Sequence, residues 1–197
     1  QNSMRLKIPF GIAQIGKVFR NEIVARNFIF RTREFEQMEM QYFVHPSKDK
    51  ENIELWKQKR FDFYLNQLGI SKSNLQFYQH DDTELAHYAK DAYDIQYKFP
   101  FGWGEIEGIH NRTDFDLKQH EKLSGKNMTY FDSANDKKYH PYIIETSAGL
   151  NRVFLMVLCN AYFEDTENSR VVLKLPFALA PNKAVICPLV KKDNLPE

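Results

Sequence analysis

The stretch 19-FRNEIVARNFIFRTREFEQMEMQYF-43 decides how the chain is read, because it sets Arg20, Arg26, Arg31 and Arg33 beside Glu22, Glu34, Glu36 and Glu39 inside a pattern that alternates like strands. Residues 17–24 and 30–44 carry period-two alternation around the polar-centred VARNF, which predicts an antiparallel hairpin. Parity then sorts the charges. On the first strand Arg20 and Glu22 share a face and Phe19 and Ile23 the other; on the second, Arg31, Arg33, Phe35, Gln37 and Glu39 oppose Met38, Met40, Tyr42 and Val44. One face of the hairpin is polar and the other apolar.

Outward from the hairpin, NIELWKQKRFDFYLNQLG repeats Ile53, Trp56, Phe61, Tyr64, Leu65 and Leu68 at helical spacing and stops at Gly69. A short helix is expected around ELAHYAKD, residues 84–91, before the alternating Tyr93, Ile95, Tyr97 and Phe99. The turn-rich PFGWG and the strand EIEGIH make this a second hairpin. The segment 111–127 has no clear period, and 124–138 reads as a loop or small hairpin. The strand YIIET and the helix LNRVFLMVLCNAYF follow, the helix with an apolar stripe of Leu150, Val153, Phe154, Val157, Leu158 and Ala161. The sum is an α+β fold, a mainly antiparallel sheet with helices on one side. Residues 164–182 read as a connector and 183–190, KAVICPLV, as a buried strand. The chain reads as a portion of a longer protein, opening almost directly on a dense motif and closing on that lone strand.

With 197 residues, 43% of them hydrophobic, the chain can bury a sizeable core, which excludes a disordered protein. Its formal charge of +1, from 27 basic and 26 acidic residues, leaves no global field to draw it to nucleic acid or membrane. Cys159 and Cys187 sit in apolar patterns and read as reduced packing thiols, so a cytoplasmic protein is expected.

Three clusters carry chemical potential. In the hairpin, Arg20 and Arg31 suit polyphosphate oxygens, which planar guanidinium groups grip in pairs, and Phe35 suits stacking on a base. Cross-strand salt bridges on a solvated face, or a nucleic-acid surface, are the competing readings. In IIETSAGLNRVF, Glu145 ends a strand, and Arg152 stands in the first turn of a helix, where the dipole disfavours a cation and an anionic ligand would offset it. A Ser147 N-cap with Arg152 paired to an acid is the plainer account. In GEIEGIHNRTDFDL, alternation sets Glu105 and Glu107 on one face, followed by Arg112, Asp114 and Asp116; these carboxylates suit magnesium or a substrate ammonium, or form a solvated loop. The six histidines have no paired-ligand spacing, so zinc is not expected. GxGxxG, GxxxxGK[ST] and GxSxG are all missing, so any nucleotide site is of another type.

Taken together, PFGIAQIGKVFRNEI and RTREFEQMEMQYF resemble motif 2 of the class II aminoacyl-tRNA synthetases, in their dimeric glycyl type. The segments AYDIQYKFPFGWGEIEGIHNRTDFDLKQH and YIIETSAGLNR resemble that family's substrate-pocket segment and motif 3, and KLPFALAPNKAVICPLVKK its passage into the anticodon-binding domain. The resemblance covers nearly the whole chain. It implies a six-stranded antiparallel sheet with flanking helices, and a glycine–tRNA ligase that uses ATP and magnesium to form glycyl-adenylate and then charges tRNA(Gly).

Carried over by position, the resemblance implies that Arg20 holds the α-phosphate and the glycine carboxylate, while Glu22 reads the adenine amino group. Arg31 would reach the ATP tail, Phe35 would stack on adenine, and Arg152 would cover the nucleotide and its terminal phosphate, with Arg20 and Arg152 the catalytic pair. Glu39, Glu145 and Ser147 would surround the glycine ammonium, with Arg112 near the substrate, and Glu105 is the candidate for ATP-bound magnesium. The implied division is 4–163, a partial catalytic domain lacking motif 1; 164–182, a connector; and 183–197, the first strand of a truncated anticodon-binding domain. Motif 1 supplies much of a homodimer interface in the family, so dimerisation is expected of the longer protein. The alternative is a non-catalytic relative with a regulatory or nucleic-acid-binding role. Such a protein would be expected to have lost some of these arginines and carboxylates, all of which the sequence retains.

Overall fold

The computed structural model describes residues 6–81 and 89–189. In chain order the elements are β1 (Phe10–Phe19), β2 (Glu34–Val44), α1 (Asp49–Asp62), β3 (Leu75–Gln79), β4 (Asp91–Phe99), β5 (Gly102–Thr113) and α2 (Phe115–Ser124). Then follow β6 (Tyr130–Asp132), β7 (Lys137–Tyr139), β8 (Tyr142–Gly149), α3 (Leu150–Ala161), β9 (Tyr162–Asp165) and β10 (Arg170–Leu173). The main sheet has six strands in the order β1-β2-β8-β5-β4-β3, and every pairing in it is antiparallel. This is the expected α+β architecture.

Alternation in β2 and β8 decides which face is buried. Met38, Tyr42, Val44, Ile144 and Ala148 join one apolar cluster with Ile95 and Ile109, and Ile53 and Tyr64 from the α1 region and Val153 and Met156 from α3 complete it. Ile95, Ile109, Ile144, Tyr64 and Met156 are each fully buried, and burying a side chain of this size stabilises by about 1.5–3 kcal/mol. Acidic Asp49 and Glu51 open α1 and basic Lys59 and Arg60 close it, matching the helix dipole. The opposite face of the sheet, with Gln37, Glu39, Gln41, Glu145 and Ser147, is left to form a cleft.

Several sequence expectations shift in register. The first strand runs over Phe10–Phe19 rather than 17–24, and residues 20–33 form a long connection containing a 3-10 turn at Phe28–Phe30. Arg20, Glu22 and Arg31 therefore approach the cleft from a loop rather than from strands. Arg33 is turned back into that loop, its Nε donating to the Glu22 carbonyl at 2.9 Å. The untyped segment forms α2, and 124–138 contains the small β6-β7 hairpin. The helix expected at 84–91 falls mostly outside the described residues, and β4 begins at Asp91. Part of the expected connector pairs as the β9-β10 hairpin. Residues 183–189 form no strand: they have no ladder to join, and Val185, Ile186 and Leu189 are exposed. Cys159 is half-buried and Cys187 is exposed rather than packed. Among the described residues no helix is long and apolar enough to cross a membrane.

The largest correction concerns Glu105 and Glu107. Gln96 pairs with Glu105 but Ile95 pairs with Glu107, so Ile106 is the extra residue of a β-bulge that reverses the parity of β5. Glu105 stays on the cleft side while Glu107 turns into the core, where Arg60 Nε lies 2.6 Å from its Oε1 and the Tyr64 hydroxyl donates to Oε2 at 2.7 Å. Burial, and then the Glu107 charge, push the Tyr64 hydroxyl well above its ordinary range. Beyond the bulge Gly108, His110 and Arg112 face the cleft. A second irregularity pairs Asn111 with Ile144 and Thr113 with Ile143, so Arg112 is the extra residue of β5 at that point.

Candidate active site

The cleft has two ends that meet at shared walls. One end is lined by Arg20, Glu22, Phe30, Arg31, Thr32, Phe35, Asn151 and Arg152. The other is lined by Glu39, Gln41, Gly108, His110, Arg112, Asp116 and Glu145. Arg20, Gln37, Glu105 and Ser147 belong to both. All ten residues proposed from the sequence, including Glu105 and Arg112, thus line one continuous cleft, and Glu107 does not.

At the first end the cations are held by aromatic rings and by the connection after β1. The Arg20 guanidinium lies 5.2 Å from the centre of the Phe35 ring, and Arg31 Nη1 is 3.7 Å from Glu22 Oε2. Arg152, on the first turn of α3, stands over Phe30 at 4.3 Å. It donates through Nε to the Phe30 carbonyl at 3.0 Å and through Nη1 to the Glu105 carbonyl at 2.9 Å and Oε2 at 3.1 Å. Phe30 fits only because position 104 is glycine: a Cβ there would fall 2.8 Å from the Phe30 ring. The Asn151 side chain accepts from the Glu36 amide at 2.8 Å and ties α3 to the start of β2. Three arginines against the two carboxylates of Glu22 and Glu105 make this end suited to a polyanion, and Phe35 offers an aromatic face.

The second end is acidic and internally braced. Gln41 Nε2 donates to Glu39 Oε1 and to Glu145 Oε2, both at 2.7 Å, and Gln37 Nε2 donates to Glu39 Oε2 at 3.0 Å and to the Ser147 hydroxyl. The Gln41 amide therefore stands between two like charges and offsets their repulsion, while Gln37 ties Glu39 to Ser147. Arg112 Nη1 donates to Glu145 Oε2 at 3.1 Å while its fork grips Asp116 through Nε at 2.7 Å and Nη2 at 3.1 Å. His110 Nδ1 lies 3.2 Å from Glu145 Oε1. Burial pushes the Glu145 carboxyl up, but the His110 and Gln41 hydrogen bonds and the Arg112 charge outweigh it and hold the group below the ordinary carboxylate range. An ionised carboxylate beside Glu39 suits a small cation such as an ammonium.

Phe30, Gln41 and His110 also line the cleft, beyond the residues the sequence points to. Parity with Glu39 marks Gln41; nothing local marks Phe30, which depends on a loop path, or His110, which depends on the Ile106 bulge. Among the described residues no three His, Cys, Asp or Glu side chains are grouped to hold a metal ion. Magnesium is commonly bound through one or two carboxylates and substrate phosphates instead. Glu105, the carboxylate beside Arg152 at the cationic end, fits that mode.

Comparison with known proteins accords with this geometry. Residues 1–161 match the family described as tRNA synthetase class II core domain (G, H, P, S and T), and the chain belongs to that family. It is 58% identical over 201 residues to the glycine–tRNA ligase of Borrelia hermsii, covering 100% of this chain and 45% of the relative. It is 56% identical to the glycine–tRNA ligase of Chlorobaculum tepidum, covering 100% of this chain and 42% of the relative. The chain thus spans less than half the length of the curated relatives it matches. Among solved structures, a Giardia lamblia prolyl-tRNA synthetase in complex with prolyl-adenylate superposes with a TM-score of 0.62 at 19% identity, over 77% of this chain and 28% of that one. A Cryptosporidium parvum prolyl-tRNA synthetase complexed with L-proline and AMP gives 0.61 at 15% identity, over 78% and 31%. At these identities the likeness speaks to the fold.

Proposed function

We propose that the chain is the catalytic portion of a glycine–tRNA ligase, which activates glycine with ATP and transfers it to the 3′ end of tRNA(Gly). The observation that carries this reading is Arg20, which lines both ends of the cleft. A cation at the junction of a polyanion end and an ammonium end stands where a carboxylate and an α-phosphate would have to meet. The high identity to curated glycine–tRNA ligases supports the choice of substrate.

On this reading ATP lies along the cationic end, with adenine against Phe35 and its amino group at Glu22. Arg31 reaches the phosphate tail and Arg152 covers the nucleotide. Glycine sits at the acidic end, its ammonium among Glu39, Glu145 and Ser147, with Arg112 donating to Glu145. The glycine carboxylate oxygen attacks the α-phosphorus in line, the bond to the β-phosphate oxygen breaks, and pyrophosphate leaves. Arg20 draws the two anions together and stabilises charge on the transferring group, so no protein nucleophile is required. The terminal ribose hydroxyl of tRNA then attacks the adenylate carbonyl and AMP departs. Magnesium bound with the nucleotide would neutralise phosphate charge, and Glu105 would hold it.

The proposed division is 4–163 for the partial catalytic domain, 164–182 for the connector and 183–197 for the opening of an anticodon-binding domain. The longer protein is proposed to act as a cytoplasmic homodimer. Amino-acid-dependent ATP–pyrophosphate exchange by the full-length protein tests the reading. Exchange with glycine and little with alanine or serine is expected; a folded protein with no glycine-dependent exchange would contradict it.

A further inference from the structure

His110 belongs to the acidic end of the cleft, yet the proposed reaction gives it no task. The Ile106 bulge brings it to the cleft face, in register with Glu145 of β8. Its ring occupies the space over Gly108, where a Cβ would fall 2.7 Å from Cε1 and 3.1 Å from Nε2. The ring is therefore set against backbone on one side, and its Nδ1 is aimed at Glu145 Oε1, 3.2 Å away. An ionised carboxylate only accepts, so Nδ1 carries the hydrogen.

The two oxygens of Glu145 are not equivalent. Oε2 accepts from Gln41 at 2.7 Å and from Arg112 at 3.1 Å, which fills its lone-pair directions. Among the described residues Oε1 has the His110 contact and one direction left open. We propose that His110 is a positioning residue for substrate specificity: by holding Oε1 from the Gly108 side, it fixes the free lone pair of Glu145 toward the substrate ammonium. This rests on the reading that Glu145 meets the glycine ammonium.

The experiment is ATP–pyrophosphate exchange by the full-length protein, with glycine and ATP titrated separately and folding checked by circular dichroism. His110→Ala and His110→Phe are expected to raise the glycine KM about tenfold, the scale of one charge-assisted hydrogen bond, and to move the ATP KM less than about twofold. His110→Asn, which keeps a donor near the Nδ1 position, is expected to recover most of the loss. Gly108→Ala keeps the imidazole but pushes it off Glu145, and is expected to reproduce the glycine-selective rise. An unchanged glycine KM in His110→Ala, an equal rise for both substrates, or an Asn variant no better than Phe would overturn the proposal. Should His110→Ala fail to fold, Gly108→Ala decides: an unchanged glycine KM there overturns it too. A parent protein without glycine-dependent exchange defeats the proposed function itself, whereas an active parent with silent His110 and Gly108 variants defeats this inference alone.

Discussion

Glu145 and Glu107 stand on paired strands of one sheet, each beside an arginine, yet they face opposite ways and do different work. Glu107, 1% exposed, spends both oxygens on Arg60 and Tyr64, which come from α1 and the turn that continues it. Glu145, 6% exposed, is braced by residues from the two neighbouring strands and keeps one side open to a cleft. Burial and an arginine partner are common to both. What separates a structural carboxylate from a ligand-binding one is whether its partners close the shell around it.

The variant with the largest expected effect sits on the cleft side. Arg20→Ala removes the cation common to both ends, and adenylate formation in a single turnover is expected to fall about 10³-fold. Because Arg20 is exposed, the melting temperature should stay within about 2 °C; a large drop in stability would mean that Arg20 belongs with Glu107. Glu107→Ala should behave in the opposite way, leaving the Arg60 charge and the Tyr64 hydroxyl without their partner. Urea denaturation is expected to register a loss of about 3 kcal/mol, the low end for a broken buried pair because Arg60 keeps some contact with water. A loss under about 1 kcal/mol would break the contrast.

Glu39→Gln comes next. It keeps the shape of the acidic end but removes its charge, so the glycine KM is expected to rise about 30-fold while the ATP KM barely moves. Equal changes in both would show that Glu39 does not face the ammonium.

Glu145 gives a smaller effect, and its sign follows from its environment. Its folded carboxyl binds a proton less tightly than the unfolded one, so its contribution to stability is complete above the unfolded value and is lost as pH falls through the folded one. Glu145→Gln should therefore narrow the stability difference from the parent below about pH 4. A difference that widens in acid would contradict that sign. The smallest effect is expected from Lys17→Ala: its exposed pair with Glu34 lies outside the cleft, and neither exchange activity nor melting temperature should change measurably.

How far the sequence carried this picture depended on where strand parity held. It holds in β2, where Glu39 stands on the cleft face and Met38 on the core face; in β8 Glu145 and Ser147, two positions apart, share the cleft face while Ile144 joins the core. It failed in β5, because EIEGIH alternates acceptably in either phase and a bulge at Ile106 has no local mark in the residues. Strict alternation from Glu105 puts Glu107 on the cleft face and His110 off it, the reverse of what the bulge produces. Arg20, Glu22 and Arg31 line the cleft, but a loop rather than the expected strands delivers them. Phe30, which carries Arg152, depends on the space left by Gly104, a contact between residues 74 positions apart that no local pattern encodes.

The most direct test of the two-ended cleft is a crystal structure of the protein with a non-hydrolysable glycyl-adenylate analogue. The analogue's ammonium is expected within hydrogen-bonding distance of Glu39 and Glu145 Oε1, its phosphate mimic at Arg20, and its adenine against Phe35. An ammonium placed among Glu22 and Glu105, or an adenine at the acidic end, would contradict it.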